Sequence, residues 1–165
     1  MKKMCLGINI DHVATIRNAR GGNHPSPLEI AIIAEKCNVD NITAHLREDR
    51  RHVNENDIKS LLSKLKIPLN FEMAATSEMI NFAVENLPYA CCIVPEKRQE
   101  ITTEGGLNLK SNKEIVDCIN KLKDAGRYNW KTRFGPSCST RNFSKDSQGY
   151  YLLGVEGNIL DKVNY

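Results

Sequence analysis

Two side chains that can exchange protons near neutral pH occupy equivalent places in neighbouring apolar segments. His45 lies within segment 41–46, and Glu72 closes segment 68–72. Histidine titrates near pH 6.5, and partial burial raises the pKa of a carboxyl toward the same range. A general base needs a pKa near the working pH, so both residues are candidates for acid–base catalysis. Considered alone, His45 would be interpreted as a core histidine and Glu72 as a solvated strand end. Because the two residues occupy equivalent positions of neighbouring segments, we favour catalytic roles for both.

Further polar groups follow the same segments. Five arginines could hold a phosphate bidentately: Arg17, Arg20, Arg47, Arg50 and Arg51. For Arg50 and Arg51 we favour the alternative of a solvated charged loop. Segment 102–106 is rich in hydroxyl groups and glycine, and its length suits a lid over substrate as well as an ordinary connection.

A metal site is the competing interpretation of these groups. Histidine and carboxylate suit zinc or iron, and five residues could serve as ligands: Asp11, His12, His45, His52 and Glu72. They lack a usual ligand spacing, such as two histidines one helical turn apart, so we expect no metal. No glycine pattern of a dinucleotide or P-loop site follows any apolar segment, which argues against those ligands.

The elements that must position these groups alternate in type. Strand-length apolar runs occupy 5–10, 41–46, 68–72 and 89–94. Helical stripes of apolar residues lie in 30–37, 58–65, 80–87 and 115–122, and Ser111 with Glu114 forms a capping-box pattern ahead of the last stripe. Successive strand–helix units imply parallel strands joined by helical crossovers.

The polar strand ends distinguish two parallel architectures. An open doubly wound sheet concentrates ligand groups at one switch point, whereas a (β/α)₈ barrel gathers them at the C-terminal ends of all its strands. Every strand-like segment here ends in polar groups, so we expect an α/β barrel, although four units are half of eight. Asn9, Asp11, His45 and Glu72 should then project toward one common face.

Composition bounds the class of protein. The chain has 165 residues, with 41% apolar and 26% charged side chains. That is enough for one domain, and no run approaches the roughly 18 apolar residues of a membrane helix. We expect a cytoplasmic protein with no membrane partner. The six cysteines show no C-x-x-C spacing and lie mostly in apolar runs, so we expect buried thiols.

The last quarter of the chain differs from the rest. Residues 1–126 carry 17 basic and 17 acidic side chains, whereas residues 127–165 carry six basic and three acidic ones. Seven of the ten aromatic residues also lie in this tail. We therefore expect two pieces, 1–126 as the N-terminal half of a barrel and 127–165 as a divergent tail.

Several long motifs make a resemblance specific. They are NIDHVAT at 9–15, RNARG at 17–21, TAHLREDRRH at 43–52, LNFEMA at 69–74 and VPEKRQEITTEGG at 94–106. In this order they resemble the pyridoxine 5′-phosphate synthase family of the deoxyxylulose-phosphate-dependent vitamin B6 pathway. The resemblance covers residues 4 to about 126.

The resemblance implies a condensation of two small phosphorylated substrates, 3-amino-2-oxopropyl phosphate and 1-deoxy-D-xylulose 5-phosphate. The products are pyridoxine 5′-phosphate, inorganic phosphate and water. It also implies a (β/α)₈ barrel that assembles as a homo-octamer and uses neither a metal nor an organic cofactor. No nucleic-acid partner is expected.

The same resemblance implies residue roles. His45 and Glu72 correspond to two proton acceptors, and Asn9 and Arg20 to contacts with the amino-oxopropyl phosphate. The contacts with the deoxyxylulose phosphate correspond to Asp11, His12, Arg47, His52 and Thr102.

The resemblance stops near Gly126, where the family continues into further barrel strands. No histidine follows His52, so the family's proton donor has no candidate in this sequence. Two hypotheses remain: an active synthase, or a truncated, inactive relative that retains at most partial substrate binding.

Overall fold

The structure of the protein, a computed structural model, describes residues 6–96, 113–125, 131–134 and 152–153. The chain divides into two compact units, residues 1–71 and 72–165. Strand β3, Leu69–Met73, begins in the first unit and ends in the second.

Parallel strands and three helices make up the first unit. In chain order these are β1 (Gly7–Asn9), α1 (Asp11–Arg20), α2 (Pro27–Lys36), β2 (Asn41–Leu46), α3 (Glu55–Lys64) and the start of β3. The strand order is β1-β2-β3, and β1 runs parallel to β2 with Ile8 opposite Ile42. The Ile42 amide donates to the Pro68 carbonyl at 3.0 Å, which joins β2 to the segment entering β3.

Local sequence explains where the helices of this unit begin and end. Ser26 caps α2 by accepting from the Glu29 amide, and the ring of Pro27 suits the first helical position. Helix α1 was not among the four helices expected from apolar periodicity, because only Asp11 and Ala14 of its residues are buried. It ends at Gly21, whose φ of 68° is the left-handed geometry that glycine tolerates best.

The second unit continues the alternation of strands and helices. After the end of β3 come α4 (Ser77–Asn86), β4 (Ala90–Ile93), α5 (Lys113–Asp124), β5 (Lys131–Phe134) and β6 (Leu152–Leu153). The strand order is β3-β4-β5-β6, and β5 runs parallel to both of its neighbours. Strands β5 and β6 lie in the tail.

Each unit has an apolar core. In the first unit Ile42, Leu46, Ile58, Leu61 and Phe71 are fully buried. In the second unit the largest fully buried side chains are those of Met73, Met79, Ile93 and Leu122. Burying one such side chain stabilises the fold by about 1.5–3 kcal/mol.

Two expectations about burial need correction. The thiol of Cys37 is exposed rather than buried, because Cys37 caps the C-terminus of α2. That helix buries Pro27, Ala31 and Ala34, so Ile33 of the expected stripe is 55% exposed. Cys91, Cys92 and Cys118 are buried as expected, whereas Cys5, Cys138 and Ser111 of the expected capping box lie outside the described residues.

Within the described ranges, every helix is too short or too polar to span a bilayer.

Candidate active site

A carboxylate at the end of β1 connects two of the expected site residues. The Asp11 amide donates to Asn9 Oδ1 at 2.8 Å, and Asn9 Nδ2 donates back to Asp11 Oδ2 at 2.8 Å. The other carboxylate oxygen, Oδ1, accepts from the backbone N–H of His45 at 2.7 Å. Asp11 therefore ties the start of α1 to β2, and a carboxylate in the first turn of a helix also favours that helix electrostatically.

The imidazoles of His45 and His52 come together beside this carboxylate. Their ring centroids are 5.8 Å apart with the planes tilted by 55°, and both residues are buried. Single side-chain nitrogen or oxygen atoms of Asp11, His45 and His52 all lie within 4.8 Å of one another. The structure thus brings together three residues that the sequence assigned to the site.

One hydrogen bond fixes the proton on the His52 ring. The Val53 amide donates to His52 Nδ1 at 2.8 Å, so that nitrogen carries no proton. A neutral imidazole then carries its proton on Nε2, which can donate. Burial is the main cause that lowers the pKa of His52, and His45 and Arg47 lower it further. The carboxylates of Asp11 and Asp49 act in the opposite direction.

Arg47 is the buried cation of the cluster. Its side chain is 3% exposed, and its Nε lies 3.4 Å from Asp49 Oδ1. Hydrogen bonds from the Arg51 guanidinium are the largest of the causes that lower the pKa of Asp49 to about 2. Arg47 lowers that pKa further, so Asp49 stays ionised beside Arg47 across the physiological range.

The other arginines of this region form ion pairs on its surface or between helices. Arg50 donates to Glu55 Oε1 at 2.6 and 2.9 Å, which lowers the pKa of Glu55. Arg51 pairs with Asp49 at 2.6 Å. These contacts agree with the charged-loop interpretation of Arg50 and Arg51.

The donor set fits a cation poorly. If His52 Nε2 were a metal ligand, the ring proton would move to Nδ1 and break the hydrogen bond from Val53. The positive charge of Arg47, which lowers the pKa of His52, would also repel a cation in this place. The buried guanidinium of Arg47 and the Nε2–H of His52 instead offer donors to oxygen atoms of a ligand.

The remaining expected site residues are not part of this buried group. His12 and Arg20 are exposed on α1, and Asn9 is exposed at the end of β1. Glu72 is half-buried in the second unit, so its place beside His45 stays a prediction. Thr102 lies outside the described residues.

Sequence reasoning missed the cap of α3 and its ion pair with Arg17, an arginine that the sequence offered as a phosphate ligand. Asn54 and Asp57 form a capping box at the start of α3, and Asp57 also pairs with Arg17 of α1. The spacing Asn-x-x-Asp ahead of an apolar stripe is a readable signal for such a cap. The partner Arg17 carries no such signal, since 40 residues separate it from Asp57.

Parallel strands with flanking helices, and polar groups at a strand end, define an α/β protein of the kind that binds small ligands at its strand termini. The comparison with protein families is more specific. The chain belongs to the family described as "Pyridoxal phosphate biosynthesis protein PdxJ", whose model matches residues 6–129. This is a TIM-barrel family, of which the N-terminal part is present here.

Curated relatives agree with the family match. The chain is 56% identical over 127 residues to a pyridoxine 5′-phosphate synthase of Jannaschia sp. (strain CCS1), covering 76% of this chain and 51% of the relative. It is 57% identical over 126 residues to the protein of that name from Roseobacter denitrificans, covering 76% and 51%. For the protein of that name from Rhodospirillum rubrum, identity is 57% over 122 residues, covering 73% and 49%. The chain spans about half the length of these relatives.

Proposed function

We propose that this chain acts in pyridoxine 5′-phosphate synthesis by condensing 3-amino-2-oxopropyl phosphate with 1-deoxy-D-xylulose 5-phosphate. The observation that carries the proposal is the buried group of Asp11, His45, Arg47 and His52 in a chain 56–57% identical to proteins named as this synthase. The proposal includes the division of the chain into a barrel-forming part, 1–126, and a tail, 127–165.

The chemistry of the proposed reaction suits such a group. The condensation of 3-amino-2-oxopropyl phosphate with 1-deoxy-D-xylulose 5-phosphate forms one carbon–nitrogen bond and one carbon–carbon bond. Two water molecules and one inorganic phosphate are released. Each of these steps moves protons, so groups that titrate near neutrality are required. In the proposal His45 and Glu72 accept these protons.

Recognition of the deoxyxylulose phosphate is assigned to the buried cluster. Arg47 supplies a buried positive charge, and the Nε2–H of His52 supplies a neutral donor beside it. Asp11 can accept from a sugar hydroxyl while it holds the His45 backbone. His12 and Thr102 complete this half of the proposed site.

Asn9 and Arg20 are assigned to the amino-oxopropyl phosphate. Both are exposed, and Asn9 is held in place by its two hydrogen bonds to Asp11. In the proposal the substrates are small phosphorylated molecules, the assembly is a homo-octamer, and the site of action is the cytoplasm.

A turnover assay tests the proposal. Purified chain is incubated with both substrates, and pyridoxine 5′-phosphate is measured by chromatography with fluorescence detection. The proposal predicts product from the wild type and about 10²- to 10⁴-fold less from His45→Ala and Glu72→Ala, the usual effect of removing a general acid or base. Arg51→Ala, which removes an arginine that the proposal does not assign to the site, is the matched control. No product from a folded wild type would contradict the proposal and favour an inactive relative.

A further inference from the structure

Helix α1 contacts the backbone of both clustered histidines. Near its start, Asp11 accepts from the His45 amide. Two turns further on, Asn18 Nδ2 donates to the carbonyl of His52 at 2.9 Å, and Arg17 Nη2 donates to the same carbonyl at 3.3 Å. We infer that Arg17, Asn18 and Asp57 are positioning residues that hold His52 as a fixed Nε2–H donor.

The ion pair between Arg17 and Asp57 anchors this arrangement. Arg17 Nη1 lies 2.5 Å from Asp57 Oδ1, and Nη2 lies 3.0 Å from Oδ2, with side chains only 11% and 13% exposed. A bidentate pair of this kind fixes orientation as well as distance. Asp57 Oδ2 also accepts from the Asn54 amide, so the pair links α1 to the cap of α3.

The planar peptide group between His52 and Val53 links these contacts to the imidazole of His52. The carbonyl of His52 and the amide of Val53 belong to one peptide group, so fixing the carbonyl fixes the direction of the N–H. Asn18 and Arg17 hold that carbonyl on one side. On the other side the Val53 amide points at Nδ1 of the His52 ring, at 2.8 Å. The ring tautomer therefore depends on residues that do not touch the ring.

The groups that face His52 determine what this donor can do. Arg47 and His45 disfavour a positive charge on the ring, Asp11 and Asp49 favour one, and burial outweighs them in lowering the pKa. Because the pKa of His52 is lowered, the ring stays neutral to a lower pH than an ordinary histidine does. A neutral Nε2–H beside Arg47 recognises an oxygen acceptor without adding a second charge.

The role of this donor in substrate binding rests on the proposed function, whereas the tautomer itself can be measured without any substrate. The experiment records long-range ¹H–¹⁵N spectra of the full chain labelled at histidine nitrogen, across a pH titration. It compares the wild type with Asp57→Asn and Asn18→Ala. Glu55→Gln is the matched control, because it makes the same chemical change two residues away, in an ion pair that does not contact His52.

We expect a single tautomer with unprotonated Nδ1 in the wild type and in Glu55→Gln. In Asp57→Asn and Asn18→Ala the tautomer ratio should shift by roughly tenfold, the effect of one lost hydrogen bond, and the pKa of His52 should rise. Because Asn18 is exposed, we expect Asn18→Ala to fold, and this variant tests the inference even where Asp57→Asn does not fold. Unchanged His52 signals in a folded Asn18→Ala, or an equal shift in Glu55→Gln, would overturn the inference.

A binding measurement separates this inference from the proposed function. Titration of the same variants with 1-deoxy-D-xylulose 5-phosphate should show about tenfold weaker binding where the tautomer has shifted. A tautomer shift in a chain that binds no deoxyxylulose phosphate would refute the proposed function and leave the positioning role intact. Normal binding despite a shifted tautomer would overturn the role of the Nε2–H in recognition.

Discussion

Two regions of the molecule hold their side chains by different interactions. They are the segment after β2 and the core of the second unit. Around residues 47–57, polar groups are held by hydrogen bonds with defined donors and acceptors, as in the pair of Arg17 with Asp57. In the second unit, the side chains of Met79, Ile93 and Leu122 are apolar and fully buried, so packing holds them. Hydrogen bonds in the first region determine how polar side chains are oriented and where their protons lie, which catalysis requires. Packing in the second region constrains only the volume of each side chain.

The largest effect expected from this comparison concerns thiol reactivity. Burial raises the pKa of Cys118 to about 12, from an ordinary value of 9.0, whereas Cys37 is exposed. Because the thiolate is the nucleophile, a pKa of about 12 in place of 9.0 leaves Cys118 with about a thousandfold less thiolate at neutral pH, so its alkylation should be far slower. Pulsed alkylation with peptide mass spectrometry measures both rates, and urea should remove the difference. Equal labelling in the native state would show that the second unit is not closely packed.

Core truncation in the second unit gives the next effect. Leu122→Ala should lower the free energy of unfolding by about 2–5 kcal/mol, because it leaves a cavity in a fully buried place. Leu122→Met nearly conserves the volume and should cost less than about 1.5 kcal/mol. Urea denaturation followed by circular dichroism measures both. Similar losses for the two variants would argue against fixation by volume.

Loss of the carboxylate in the first unit should cost less stability. Asp11→Ala leaves the buried His45 amide without its acceptor, which costs about 1–3 kcal/mol of unfolding free energy. Asp117→Ala changes an exposed aspartate on α5 and serves as the control. The same denaturation measurement applies. A cost for Asp11→Ala no greater than the control would show that this hydrogen bond does not hold β2.

The smallest effect is a difference in stability between two variants at the end of α4. Leu87 caps this helix with φ 46° and ψ 56°, a left-handed conformation that glycine adopts with less strain. Leu87→Gly should exceed Leu87→Ala in unfolding free energy by about 0.4–1 kcal/mol, because both variants lose the same leucine contacts and only glycine relieves the strain. An alanine variant as stable as the glycine variant would contradict the explanation by backbone strain.

Much of the strand framework was predictable from local pattern. The apolar run 41–46 predicted β2 with its observed bounds, and the run 68–72 predicted β3 within one residue. Helix α1 was missed because it buries only two residues and so has no apolar stripe. The exposure of Cys37 was missed because i, i+3, i+4 spacing does not tell which of two adjacent faces packs inward.

The candidate site was predictable in its residue types but not in its connections. Motifs located Asp11, His45, Arg47 and His52. The structure places side-chain atoms of Asp11, His45 and His52 within 4.8 Å of one another, and Arg47 lies near enough to lower the pKa of His52. The contacts that orient them join residues 34 to 40 positions apart, such as Asp11 with the His45 amide and Arg17 with Asp57. Such pairings depend on helix orientation, which no local sequence pattern encodes.

The most direct test of the proposed site is calorimetric titration with each substrate separately. Among the described residues, Asp11, His12, Arg47 and His52 are assigned to the deoxyxylulose phosphate and only Asn9 and Arg20 to the amino-oxopropyl phosphate. We therefore expect 1-deoxy-D-xylulose 5-phosphate to bind more tightly, with a loss of about 10- to 100-fold in Arg47→Ala and none in Arg51→Ala. Equal affinity for the two substrates, the reverse order, or unchanged binding by Arg47→Ala would contradict the account.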